Sequence, residues 1–300
     1  MDKFIQFELW KDCKQGCKFC CNKGARPTNK AHSFKYIQKV LNSLQPNEYD
    51  SIGLIGGELF NGEMDLYMHQ FYNVMSRIKD LNPKNIYIAT SLIYNMRDYL
   101  IPTMKAIEDV LGITDKITLC TSWDPMYRFH NEEQKKLWAK NMFALHKHMP
   151  QIKVHTEIIL TQHFIDLVLK GGWDLDMFQK VFYTTVDFIE PSSGLFYTDK
   201  HECQADIPGF FPTKSSFIEF IKAIRDKYDI SRLCSPELRA EELHFIDGIE
   251  HRVSRDRRAN GCVEHASDPS KKYDIGFIDS DKTMREIVLQ VSELLEDISN

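Results

Sequence analysis

No run of roughly eighteen apolar residues, the length a membrane-crossing helix requires, occurs in this 300-residue chain. The opening decapeptide, MDKFIQFELW, lacks the basic flank and long apolar stretch of a secretory signal. A cytoplasmic protein without membrane contact is therefore expected. Positive charge is not in excess either: 38 Lys and Arg stand against 43 Asp and Glu, a formal charge of −5. General nucleic-acid binding draws on a basic footprint and is not expected. Internal repeats and low-complexity tracts are absent. What remains is an ordinary globular mixture, 43% hydrophobic and 27% charged, long enough for one large domain or two small ones.

Short β-branched or aromatic runs alternate with longer segments of helical period. Strands are expected at 4–10, 51–57, 85–93, 117–123, 154–161 and 184–190. Helices are expected at 33–44, 64–80, 97–111, 131–148, 163–170, 215–228 and 282–298. Strand–helix alternation points to parallel strands joined by crossovers. The runs are more continuous than alternating, as strands covered on both faces would be. The expected fold is α/β, a partial (β/α)6 TIM-like barrel over 1–192. Residues 193–300 are less regular, carry Pro208, Pro212, Pro236 and Pro269, and are expected to form an irregular α-rich C-terminal extension capping the barrel.

The most informative stretch is CKQGCKFCCNKG, residues 13–24, which puts Cys13, Cys17, Cys20 and Cys21 directly after the first strand. In a reducing compartment clustered cysteines more often hold metal than form disulfides. A structural zinc site wants four ligands, usually in two pairs, and no second pair follows. Cys120, Cys203, Cys234 and Cys262 are isolated. Cys21 is a poor fourth ligand, since adjacent side chains diverge, and reads as a small packing residue. A four-iron cubane held by three protein thiols suits the spacing better, leaving one iron open to a ligand.

CKQGCKFC resembles the CxxxCxxC motif of the radical S-adenosylmethionine (SAM) superfamily, including the aromatic residue before the last cysteine, Phe19. LIGGELF, 54–60, resembles the same family's GGE motif at the end of the second strand. The resemblance covers about residues 4–192. It implies one [4Fe-4S] cluster on Cys13, Cys17 and Cys20, with SAM chelated at the open iron. One electron would cleave SAM to a 5′-deoxyadenosyl radical, which takes a hydrogen atom from substrate. An electron donor of flavodoxin or ferredoxin type is implied as a partner. Gly56 and Gly57 would allow close backbone approach, and Glu58 would accept a charge-assisted hydrogen bond from the SAM ammonium.

Further cofactor-binding residues follow from the resemblance: Ser91 (or Thr90) at the third strand end, and Ser122 at the fourth. Asp124 and Arg128 in TSWDPMYRF resemble a pattern of peptide- and protein-modifying members. Ile189 and Pro191 would flank the adenine after the sixth strand, with Glu190 facing the cavity, while His155 and Glu157 could point into the barrel. Only Cys203, Cys234 and Cys262 remain, scattered, where some relatives carry a cysteine-rich domain with auxiliary clusters, so that domain is expected to be absent or degenerate, with NGCVEH as its remnant. Cys203 and Cys262 are candidates for donating a hydrogen atom to a product radical. Arg252, Arg255, Arg257 and Arg258 form either an anion grip or a solvated face. The substrate is expected to be a peptide, a protein side chain or a small molecule. A nucleotide or modified base, and a non-catalytic metal-bearing sensor module, are the alternatives.

Overall fold

The computed structural model describes residues 4–9, 13–18, 20, 30–60, 64–189, 210, 212–224, 240–246, 249–254, 261–265 and 268–275. Six strands run parallel in chain order: β1 (Phe4–Glu8), β2 (Ser51–Ile55), β3 (Asn85–Ala89), β4 (Ile117–Trp123), β5 (Lys153–Ile159) and β6 (Thr185–Ile189). Helices intervene: α1 (Lys30–Ser43), α2 (Met64–Leu81), α3 (Leu100–Leu111), α4 (Glu132–His148), and the pair α5 (Gln162–Leu169) and α6 (Leu175–Phe182). This is the expected α/β arrangement of a partial barrel.

Local chemistry sets the helix ends. The Asn131, Thr161 and Asp174 side chains accept the N–H of Gln134, Phe164 and Met177, capping α4, α5 and α6. Gly112 ends α3 in the left-handed conformation, at φ 62°. On α4, Trp138, Met142 and Leu145 recur at helical spacing and are all buried against the sheet. Helix α6 was not expected. Its signal is the Asp174 cap followed by buried Leu175 and Phe178, masked in the sequence by the glycine pair before it.

Continuous burial of the strands holds only for β2. In β3 to β5 burial alternates with half-exposure. One face packs on the helices through Ile86, Ile88, Leu119, Val154 and Ile158. The other carries Cys120 and Ser122 of β4, His155 and Glu157 of β5, and Thr185 and Asp187 of β6, matched in register across the strands.

The C-terminal region corrects one expectation. Besides α7 (Lys214–Ile224), which falls within the expected 215–228, it contributes strands, not further helices, among the described residues. These are β7 (Ala240–Ile246), β8 (Ile249–Ser254), β9 (Gly261–His265) and β10 (Asp268–Ile275). β8 pairs antiparallel with β1, giving the order β10-β9-β7-β8-β1-β2-β3-β4-β5-β6. The β7 and β8 register brings Ile246 opposite Ile249. The helix expected at 282–298 lies outside the described residues. No described helix is long and apolar enough to cross a membrane.

Candidate active site at the strand ends

The cysteine loop leaves β1 at Leu9, whose N–H still bonds to Ile55 O of β2 (2.9 Å). Cys13 is exposed, Cys17 buried and Cys20 half-buried. Cys20 N donates to Cys17 O at 3.1 Å, so the last two cysteines share one tight turn. Gly16 adopts φ 62°, and a Cβ there would stand 3.2 Å from His130 Nε2. The position therefore favours glycine both by conformation and by contact.

Four contacts tie this loop to the ends of β3 and β4. Gln15 Nε2 donates to Ile93 O (2.8 Å), and His130 Nε2 meets Gln15 O (2.6 Å). Lys18 N donates to Tyr127 O (3.0 Å), and Arg128 Nη1 reaches Cys17 Sγ at 3.8 Å. Although Cys13 is exposed as a residue, desolvation of its thiol raises its pKa. Gln15 N–H, which bonds its sulfur at 3.4 Å, opposes this; Glu58 and Cys17 add to the rise, and Arg128 counters it. Metal coordination reverses such a rise, since a ligating thiol is deprotonated outright. Among the described residues no three Cys, His, Asp or Glu side chains converge on a point that would hold a single metal ion. Three thiols on separate irons of a cubane need no such convergence, and the donor chemistry, three cysteine thiols on one loop, is that of a cluster.

Glu58 follows Gly56 and Gly57 and is 2% exposed. Its Oε1 accepts from Phe60 N (3.0 Å) and Thr90 Oγ1 (2.9 Å), and its Oε2 from Ser91 N (2.6 Å). The carboxylate expected to meet the SAM ammonium is thus also a buckle from β2 to the end of β3. The buckled segment is held in a costly conformation. Leu92 sits at φ 55°, a region branched side chains avoid. Asn141 of α4 holds it there, donating to Leu92 O (2.9 Å) and Tyr94 O (2.8 Å). Tyr94 OH bonds Thr90 Oγ1 at 2.8 Å, and burial pushes the phenol pKa well above its ordinary value, with Glu58 adding to the rise.

Ser91 is the point where the elements meet. Its carbonyl accepts from Thr121 Oγ1 of β4 and from Arg128 Nη2, both at 3.3 Å. Arg128 therefore touches both the cysteine loop and the β3 end. Asp124 lies elsewhere. It is fully buried, with Oδ1 accepting from Met126 N (2.9 Å) and Tyr127 N (2.6 Å), and Oδ2 from Thr161 Oγ1 (3.2 Å). Desolvation raises its pKa; the hydrogen bonds from Tyr127, Met126 and Thr161, and the nearby His163, pull the other way. This carboxylate closes the turn after β4 and ties it to the cap of α5. A carboxylate two and three residues before free N–H groups satisfies them locally.

Ser122 lies half-buried on the polar face, opposite Glu157 of β5. There His155 Nε2 stands 3.2 Å from Asp187 Oδ2, and its Nδ1 2.8 Å from Thr185 Oγ1. Cys120 shares this face, and burial, with Glu157 and Asp187 adding, raises its pKa well above that of a free thiol. Cys120, Thr185 and Asp187 were not anticipated at the site, although polar residues at alternate positions of TLCTS and TTVDF carry the signal. Ile189 ends β6, paired with Ile159. Cys262 falls on β9, opposite Glu242 of β7. Phe19, Cys21, Glu190, Pro191, Cys203, Cys234, Arg255, Arg257 and Arg258 lie outside the described residues.

Residues 6–118 match the 4Fe-4S single cluster domain family. No curated protein matches the sequence. One solved structure with the same fold is native anSMEcpe with bound AdoMet and Cp18Cys peptide, at TM-score 0.52 and 13% identity, over 96% of this chain and 78% of that one. Another is native anSMEcpe with bound AdoMet, at TM-score 0.53 and 13% identity, over 96% and 79%. At that identity the likeness is one of fold. The matched family places a 4Fe-4S single cluster domain over residues 6–118, the stretch that holds the cysteine loop and Glu58, and the fold is shared with two structures solved with AdoMet.

Proposed function

We propose that the protein is a radical SAM enzyme that cleaves SAM reductively and abstracts a hydrogen atom from a peptide or protein side chain. The observation that carries this reading is the convergence at the C-terminal strand ends. The cysteine loop, the Glu58 buckle and Arg128 all meet around Ser91, where parallel barrels place their ligands. The fold shared with a protein solved with AdoMet and a peptide supports a peptide substrate over a free small molecule.

In this reading Cys13, Cys17 and Cys20 bind the cluster, and the Gly56–Gly57 strand end and Ser91 line the SAM site. A cluster held there and reduced by an external donor of flavodoxin or ferredoxin type would supply the electron for reductive cleavage of SAM. Glu58 fixes the Ser91 peptide so that the SAM site is formed before the cofactor arrives. The polar face of β4 to β6, with Cys120, Ser122, His155, Glu157 and Asp187, receives the substrate. Barrel walls exclude water from the radical.

Anaerobically reconstituted protein, given SAM, dithionite and peptides deuterated at single side-chain carbons, tests the proposal. Deuterium in 5′-deoxyadenosine is expected from one peptide class. SAM cleavage with no transfer from any peptide, but with transfer from a labelled nucleoside, would replace the substrate class. No cleavage at full iron content would favour a non-catalytic cluster protein.

A further inference from the structure

Arg128 is 7% exposed, yet it forms no ion pair among the described residues. Its guanidinium spends one nitrogen on Ser91 O and one on Cys17 Sγ. Nε has no hydrogen-bond partner among the described residues. Of the three buried side-chain atoms left unsatisfied among the described residues, it alone belongs to a charged group. A buried cation is costly unless an anion faces it, and an orphaned buried donor adds to that cost. Glu58 does not serve as that anion. Its carboxylate is taken up by Phe60, Thr90 and Ser91, and the Ser91 peptide stands between the two charges. The group that Arg128 does face is the Cys17 sulfur.

We propose that Arg128 is the counter-cation of the iron–sulfur cluster, acting at the Cys17 thiolate to raise the cluster's reduction potential. The inference rests on the assignment of Cys17 as a ligand. Thiolate ligation supplies the anion that the buried guanidinium lacks, and a guanidinium–thiolate contact at 3.8 Å becomes charge-assisted once the thiol has lost its proton. Hydrogen bonds and charge at cluster sulfurs are established levers on potential. The sign follows from electrostatics. One electron from an external reductant adds one negative charge at the site Arg128 faces. A fixed buried cation favours the more negative state, so reduction is easier with Arg128 than without it. Its bond to Ser91 O holds the charge in place, which makes Arg128 a tuning residue and not a catalytic one.

The test is a redox titration, monitored by electron paramagnetic resonance, of the reconstituted full-length protein, with iron and sulfide measured alongside. Arg128→Gln is expected to retain the cluster and to shift its midpoint to more negative potential. At a fixed solution potential the reduced-to-oxidised ratio falls about tenfold, equivalent to about 59 mV for one electron. Arg128→Lys, which keeps the charge, recovers at least half of that shift. If Arg128→Gln does not hold iron, Arg128→Met replaces it, with the same shift expected. Full iron with an unmoved midpoint in the uncharged variants overturns the inference, as does an equal shift in the Lys variant, which would make the role one of shape. Wild-type protein that takes up no iron would overturn the ligand assignment itself, a separate result.

Discussion

Glu58 and Arg128 hold Ser91 by opposite sides of its own backbone. Glu58 Oε2 accepts the Ser91 N–H at 2.6 Å, and Arg128 Nη2 donates to the Ser91 carbonyl at 3.3 Å. Two buried charges of opposite sign thus meet through a residue they fix, and that residue joins the second strand end to the cysteine loop. Glu58→Gln must turn a donating NH2 toward one of the donors Phe60 N, Thr90 Oγ1 or Ser91 N. Loss of a charge-assisted buried bond costs about 1.5–3 kcal/mol. Chemical denaturation of the cluster-free protein should show a loss of that order. Unchanged stability would mean that the buckle is not formed in solution.

Asn141 is the clamp on the strained β3 loop. Asn141→Ala leaves the carbonyls of Leu92 and Tyr94 without the donors they have now. A loss of about 2 kcal/mol or more is expected, given about 1–3 kcal/mol for each buried group left unsatisfied. The same denaturation experiment reads it, and a loss under about 0.5 kcal/mol would contradict the clamp.

Asp124 gives a pH signature. Its folded pKa is raised by desolvation, so the folded state binds more protons than the unfolded chain between the ordinary carboxylate value and the raised one. Stability must therefore fall as pH rises through that window. Asp124→Asn removes the titration while keeping an acceptor for the two turn N–H groups. The stability of wild type minus that of Asp124→Asn should decrease as pH rises from below the ordinary carboxylate value to neutrality. A difference that grows with pH would place the carboxylate in a charge-favouring site instead.

Cys120 is a raised-pKa thiol on the polar face, and thiolate, not thiol, is the reactive and ligating form. Peptide mapping after brief alkylation at neutral pH should find Cys120 modified at least tenfold more slowly than a free cysteine peptide. Cys120→Ala should leave iron content at the wild-type level. Fast labelling, or loss of iron, would assign it a role in metal binding.

Much of the barrel was legible because each element carried its own period. ITLCTSW gives β4 over the bounds read from sequence, Ile117–Trp123. Strands β2 and β3 stop at Ile55 and Ala89, short of the expected ends, because the apolar residues beyond them belong to the site loops. Strands β7 to β10 were hidden. Their pairing partners, including β1 far away in sequence, supply what local periodicity lacks. The same limit applied to the site. Cysteine spacing announced the loop, but Arg128 meets Cys17 across 111 positions and Ser91 meets Glu58 across 33. The hydrogen bonds of Asp124 to Met126 and Tyr127 are local and readable as a turn.

The central claim is that three cysteines of one loop hold a cluster that cleaves SAM. Its most direct test is 5′-deoxyadenosine formation by dithionite-reduced, anaerobically reconstituted protein, in wild type and in the single variants Cys13→Ala, Cys17→Ala, Cys20→Ala and Cys21→Ala. Cleavage with about four irons per chain is expected for wild type and Cys21→Ala, and background levels for the other three. Cleavage retained in Cys17→Ala, or abolished in Cys21→Ala alone, would contradict the account.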